Sequence, residues 1–514
     1  VSRNGRTIFV LSVTLLTLVS VSAPAEADVY ASGVVSGEYL YNTGEDDSAA
    51  DMRAELDLSI GYVTLGAVYR AYQLSDPDYN PARIDVPEAE MKHRYLTVDH
   101  EDLYVTVGHF PATFGRGLML RSYEDVDLEH DTLLDGLFAE YRAEFLDLTV
   151  LAGVSDEDAE GEQYYAHTVR GGRVSMPVGE WVTLAGSAVE RSRIWKDEDG
   201  EFGGDFARFE DAAVGGEVSL WLGPLTLDAE YMDRDGEFPV AASKVDTAGH
   251  PVYTDEQAEK RGHATYAAAT LDLGLLTLFG EVKDYDDIDH RLVNAPTCVR
   301  EHLWTLMNRA TYEVDYSDER GFLVEGSGSV GDAIFVTGGA SEARSHESDL
   351  RHWEMFGHAT YDVTADIRVG AAASRSRTYD FDADGATGLF TEYVTGVAEL
   401  DLTVAGDQTV ELTLERQETE DPKHDDPRRD YVLACTWYPG ADLTLSAFFE
   451  RTTDDWEGEG RENWTMLSAR KSFAGDLEVE LGVGTQRGGK VCSGGVCRYE
   501  DSFQGARLRF TKFF

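Results

Sequence analysis

Between Leu477 and Gly484 the chain alternates strictly, with Leu477, Val479, Leu481 and Val483 set against Glu478, Glu480, Gly482 and Gly484. A period of two puts successive side chains on opposite faces of an extended strand. The pattern recurs: Val410, Leu412 and Leu414 oppose Glu411, Thr413 and Glu415, and Leu225, Leu227, Ala229 and Tyr231 oppose Thr226, Asp228, Glu230 and Met232. One such strand suits a half-buried sandwich. A long series, each with an apolar and an acidic face, has no soluble core to hold it, because a sandwich or propeller needs no acidic face on nearly every strand.

Strand starts repeat after tight turns, as "DLYVTVG" at Asp102, "DLTVLAG" at Asp147, "DAIFVTG" at Asp332 and "GDLEVEL" around Asp476. Short connections such as "HED", "FLD" and "LGP" alternate with long acidic ones such as "KDEDGEFGGD" and "ETEDPKHDDPRRD". Short turns at one rim and long loops at the other are the pattern of a transmembrane antiparallel β-barrel of the bacterial outer membrane. Closure follows physically, since lipid offers no partner for an unpaired N–H or C=O and an open sheet leaves edges. The expected fold is all-β, one barrel over residues 28–514 with roughly 22–24 strands and no separate plug domain. The 50 Gly, 13 Pro, 25 Tyr and 22 Phe fit a single long, aromatic-rich β array.

Both ends agree with this. Arg3 and Arg6 precede the apolar run Thr7 to Val21, and Ala25 and Ala27 supply a cleavage site, so residues 1–27 are expected to be a secretory signal peptide. The last strand, "GARLRFTKFF", puts Ala506, Leu508, Phe510 and Phe514 on one face and Arg507, Arg509 and Thr511 on the other. It resembles the signal by which the barrel assembly machinery recognises its clients. Lys512 departs from that pattern and is expected to snorkel to the interface. The implied location is the outer membrane, with its lipid and the assembly machinery as partners.

"GHFPATFGRGLMLRSYEDVDLEHDTLLDG", residues 108–136, breaks the alternation. Strand order starts it at the outer rim after Pro111. There the trio Leu118, Met119 and Leu120 would face water unless the loop folds inward onto the wall. A barrel of this size usually needs its lumen obstructed, and three loops are long enough: 111–134, roughly 235–258 and roughly 286–318. Arg116 and Arg121, set against Glu124 and Asp125, are the candidate constriction, where opposed charges in a narrow lumen set selectivity. The same loop is equally readable as a structural brace whose charges pair among themselves. The stretch resembles a motif, F-G-x-G-L-x-L-R-x-Y-E, of an uncharacterised family of bacterial outer-membrane barrel proteins. Phe114, Gly115, Gly117, Leu118, Leu120, Arg121, Tyr123, Glu124, Leu128, Asp131 and Gly136 carry the match. Leu306 to Tyr312 resembles a second stretch of that family, which implies the barrel and no activity.

The net charge of −52 argues against nucleic acid, which needs basic patches. Cys492 and Cys497 bracket "SGGV" and are expected to close a small disulfide loop, whereas Cys298 and Cys435 are not expected to pair. "DFDADG", with Asp380, Asp382 and Asp384, copies the opening of a calcium loop but lacks the twelfth-position acid, Thr391 standing there. A solvated acidic loop is the favoured reading, Ca²⁺ the weaker one, and no other cofactor is expected. No histidine stands in a nucleophile motif, so an enzyme is not expected. The expected role is porin-like passage of small solutes with a cation preference. The alternative is a non-conducting scaffold or docking barrel for periplasmic or surface partners.

Overall fold

The computed structural model describes residues 29–43, 47–74, 89–128, 130–158, 164–196, 206–239, 244–245, 251–252, 257–288, 292–309, 318–346, 350–380, 389–406, 408–424, 426–453, 461–473, 476–493, 496–500 and 502–514. The expected signal peptide and the candidate calcium ligands Asp382 and Asp384 lie outside them, as does the side chain of Asp380.

Twenty-four antiparallel strands form one sheet, from Val29–Asn42 to Phe503–Phe513. The last strand pairs with the first, Val34 opposite Phe513 through Asn42 opposite Gly505, and this closes the barrel. The upper end of the expected strand count is the one adopted. A strand spacing of ~4.8 Å and a tilt of ~40° give a ring on the order of 150 Å around. Among the described residues no helix is long and apolar enough to cross a membrane.

The alternation sorts the two faces of the wall. Leu414, Tyr231, Leu481 and Val483 are exposed on the outer face. Their neighbours of opposite parity, Glu415, Met232, Glu230 and Gly482, are buried and face the lumen. Connections alternate between rims. Tight turns such as Gly61–Tyr62 and Gly223–Pro224 open on glycine at positive φ (61° and 68°), which lets two residues reverse a twisted pair of strands. The strand ends joined by the long connections, such as Phe110 with Leu134 and Asp286 with Glu319, lie at the opposite rim. Lys512 pairs with Asp476 at the tight-turn rim, which takes its ammonium out of the apolar belt. Arg507 and Arg509 turn into the lumen and pair with Glu38.

One irregularity positions the site. Tyr69 faces Met91 and Val68 faces His93, so Lys92 is an extra residue in the strand Ala89–His100. Such a bulge re-aims side chains, and here Lys92 and His93 both reach the same luminal carboxylates.

Candidate functional site in the barrel lumen

The main apolar core of this protein lies inside the ring. After Phe110 the chain turns inward and folds into two short hairpins, Ala112–Phe114 with Leu120–Ser122 and Glu124–Asp125 with His130–Asp131. Leu118, Met119 and Leu120 are at most 2 % exposed, packed against luminal Leu151, Val169, Val189, Met232 and Tyr285. The trio therefore buries on the inner wall, where burying each large side chain contributes about 1.5–3 kcal/mol.

Glycine is required twice in this loop. Gly117 sits at φ 92° with the Asn294 carbonyl oxygen 2.6 Å from where a Cβ would stand, and Gly115, at φ 61°, lies against the Glu230 carboxylate. Gly117→Ala is expected to destabilise the protein by about 1–3 kcal/mol through strain and this clash. Urea titration in detergent would show it, and a change within error would mean that the two loops yield.

The four candidate constriction residues do not face one another. The Arg116 backbone N–H donates to Glu230 Oε2 at 2.8 Å, and its guanidinium donates to Asp228 at 2.9 Å. The Arg121 guanidinium stacks over the Tyr123 ring at 4.8 Å. Glu124 accepts both Arg53 guanidinium N–H groups at 2.6 Å, with Lys92 Nζ and His93 Nε2 each 3.2 Å away. Asp125 accepts the Leu128 N–H at 3.0 Å and closes a local turn. Arg116 and Glu124 thus pair with the wall, while Arg121 and Asp125 are held within the loop itself.

A second loop, described over 287–288 and 292–309, runs across the lumen after the strand Leu276–Asp286. Its first half joins the first loop: the Arg121 N–H donates to the Leu292 carbonyl at 2.7 Å and Asn294 Nδ2 donates to the Tyr123 hydroxyl at 2.8 Å. Its second half follows luminal glutamates spaced along one arc of the inner wall. Arg300 pairs with Glu325, His302 with Glu354 at 2.8 Å, and Trp304 Nε1 donates to Glu399 at 2.8 Å. The short helix Thr305–Arg309 opens with two N–H groups on Glu415, and Arg309 ends it on Glu450. A carboxylate at a helix start satisfies donors that have no partner within the helix. These five glutamates went unrecognised from sequence as one site; their common luminal parity along one arc of strands was the available signal.

Asp211 lies between two buried arginines. Arg191 Nε and Arg234 Nε donate to its two oxygens at 2.9 and 3.0 Å, while Arg191 also holds the Met119 carbonyl and Arg234 the Asp287 carbonyl. This triad fastens the start of each loop.

His93, Glu124 and Asp131 present ligand atoms within 4.8 Å of one another, a spacing suited to a metal ion. Arg53 and Lys92 already occupy those carboxylates, so a dication would have to displace two cations. The cluster serves as an ionic latch. Burial alone pushes the Glu124 carboxyl up, but His93 and Arg53 outweigh it and hold it well below the usual range. Asp131 is likewise lowered, burial being overcome by His93, Lys92 and the Leu133 N–H. Carboxyls held below their unfolded-chain value stabilise the fold fully above that value and lose this contribution as pH falls through the folded one. Conductance recorded from pH 7 to 3 is therefore expected to rise only below ~4. A rise starting at neutral pH would assign the loop's hold to another group.

Cys298 is buried, its thiol pushed up to about 12 by desolvation, which leaves it inert. Cys492 and Cys497 stand opposite each other in the hairpin Gly489–Ser493/Val496–Glu500, with their side chains outside the described residues.

A family described as "Family of unknown function (DUF6029)" matches residues 23–330 and 387–514. No curated protein matches the chain. The siderophore receptor PirA from Pseudomonas aeruginosa is similar in structure, with a TM-score of 0.50 at 10% identity over 95% of this chain and 80% of that one. The copper transporter OprC gives 0.47 at 10% identity over 95% and 80%. The P pilus usher (PapC) translocation pore gives 0.43 at 10% identity over 95% and 99%. At such identity the PirA likeness is one of fold, that of a large outer-membrane barrel.

Proposed function

Because the chain belongs to DUF6029, a family of unknown function, we propose its role from the barrel itself: passive passage of small solutes across the bacterial outer membrane through a lumen narrowed by its own two inward loops. The observation that carries this is the pair of inward loops after Phe110 and after Asp286, held to the inner wall by an apolar core together with ion pairs and hydrogen bonds. In this reading residues 1–27 are a signal peptide, residues 28–514 the barrel inserted by the assembly machinery, and the obstruction comes from loops rather than from a separate plug domain.

A preference for cations belongs to the same proposal. Many luminal acids are matched by arginines, as in Arg470–Glu480 and Arg368–Asp362. Among the described residues, others take only a tyrosine hydroxyl as their hydrogen-bond donor: Asp57 from Tyr95 and Glu411 from Tyr438. Those carboxylates keep an unneutralised field in the pore. The test is conductance of the refolded protein in a planar bilayer, with reversal potentials under a salt gradient. Cation-selective steps are the expected result, and an anion-selective pore would overturn the selectivity.

The docking-barrel reading draws on the dry apolar nucleus around Leu118 and Leu120, which suits a permanently sealed lumen. Silence of both the natural protein and a loop-excised form would favour it.

A further inference from the structure

On the outer wall, four arginines gather in a chain whose net charge is −52. In the strand Arg351–Thr364, His352 and Glu354 are buried in the lumen, so Arg351 and Trp353 point outward, next to Met355, which is 52% exposed. In the strand Ile367–Asp380, luminal Ala372, Ser374 and Ser376 leave Arg375, Arg377 and Tyr379 outward. Register sets Arg351 opposite Tyr379, Trp353 opposite Arg377 and Met355 opposite Arg375. The five polar and aromatic side chains line a cleft of about 250 Å³. Arg344, exposed, lies opposite Arg351 on the adjoining strand and has no ion-pair partner among the described residues.

Only two described carboxylates answer these four guanidiniums. Glu392 accepts Arg375 Nε at 2.8 Å and Arg377 Nε at 2.6 Å, and Glu342 accepts Arg351 at 2.9 Å. Among the described residues the excess positive charge sits near the long-loop end of the strands, with Arg375 level with outward Met355 and Val394 and the other three arginines above them. A cationic cleft bordering an apolar belt, with Trp353 and Tyr379 beside it, has the makeup of a membrane–water interface. Arginine also matches phosphate oxygens by paired N–H donation.

We propose that this cleft binds the phosphate of a lipid headgroup in the surrounding leaflet, with Arg344, Arg351, Arg375 and Arg377 as donors and the acyl chains lying along Met355 and Val394. The inference rests on the membrane-spanning reading above. A lipid is the occupant because the cleft is lined by outward side chains of two wall strands and opens sideways over apolar wall rather than into the lumen.

The refolded full chain would be floated with phosphatidylcholine vesicles to report insertion. Its retention of lipid A, of dephosphorylated lipid A and of inorganic phosphate would then be measured by native mass spectrometry. Phosphate-dependent lipid retention is expected, falling at least tenfold in Arg351→Gln/Arg375→Gln/Arg377→Gln. The double variant Arg344→Gln/Arg351→Gln leaves both Glu392 pairs intact and should still lose affinity, which separates recognition from misfolding. Equal retention of the dephosphorylated lipid, unchanged affinity in the double variant, or equal competition by inorganic phosphate would each overturn the proposal. Insertion without phosphate dependence removes this inference alone, whereas failure to insert removes the membrane reading with it.

Discussion

Replacing residues 111–133 and 287–317 with short glycine-containing turns should raise conductance severalfold while the barrel still closes. The roots of both loops are already neighbours: Phe110 faces Leu134, and Tyr285 faces Glu319. Each excision therefore joins ends that a tight turn can span, and the ladders between wall strands need not change. What disappears is the luminal core around Leu118, Leu120 and Leu292. Porins with 16–18 strands already leave an aqueous channel, so an unobstructed ring of this size should conduct far more. Excising either loop alone should have the smaller effect, since the other still crosses the lumen. Single-channel recording decides it: conductance equal to that of the natural protein would mean that ions already bypass both loops, and the loops could no longer be the constriction.

Asp211→Ala is expected to cost about 3–5 kcal/mol, since it leaves Arg191 and Arg234 buried without their shared counter-charge. Both guanidiniums are 1 % exposed, so water cannot replace the lost carboxylate. The damage should spread to the loops, because the same arginines hold the Met119 and Asp287 carbonyls. Urea unfolding in detergent, followed by gel mobility, measures the loss. Asp135→Ala is the control, as its pair with Arg94 is exposed on both sides and should contribute less than ~1 kcal/mol. If the two variants unfold alike, the triad is not what fastens the loops.

The wall was legible in the sequence because lipid and water impose a strict period of two on it. Leu481 beside Glu480 already states which side each faces. Burial of Leu118–Leu120 was legible too, since an apolar trio has few places to go at a water-exposed rim. The charge partners were not. Arg116 meets Asp228 and Glu230 more than a hundred residues away, and Glu124 meets Arg53 and Lys92 across the loop root. Such pairings depend on how far each strand has slid past its neighbour and, at Lys92, on one bulged residue. Periodicity carries neither quantity.

The second loop has a mechanical side. It leaves the wall at the thirteenth strand and is fastened again at the fourteenth, sixteenth, eighteenth, nineteenth and twenty-first, where Glu450 receives Arg309. A thin ring this wide is easily flattened by lateral pressure, and a chord tied at intervals along a third of its circumference stiffens that arc as a truss stiffens a hoop. A single peptide cut within 292–309 would leave every wall strand in place. It would nonetheless make that side of the barrel more compliant to squeezing by the bilayer.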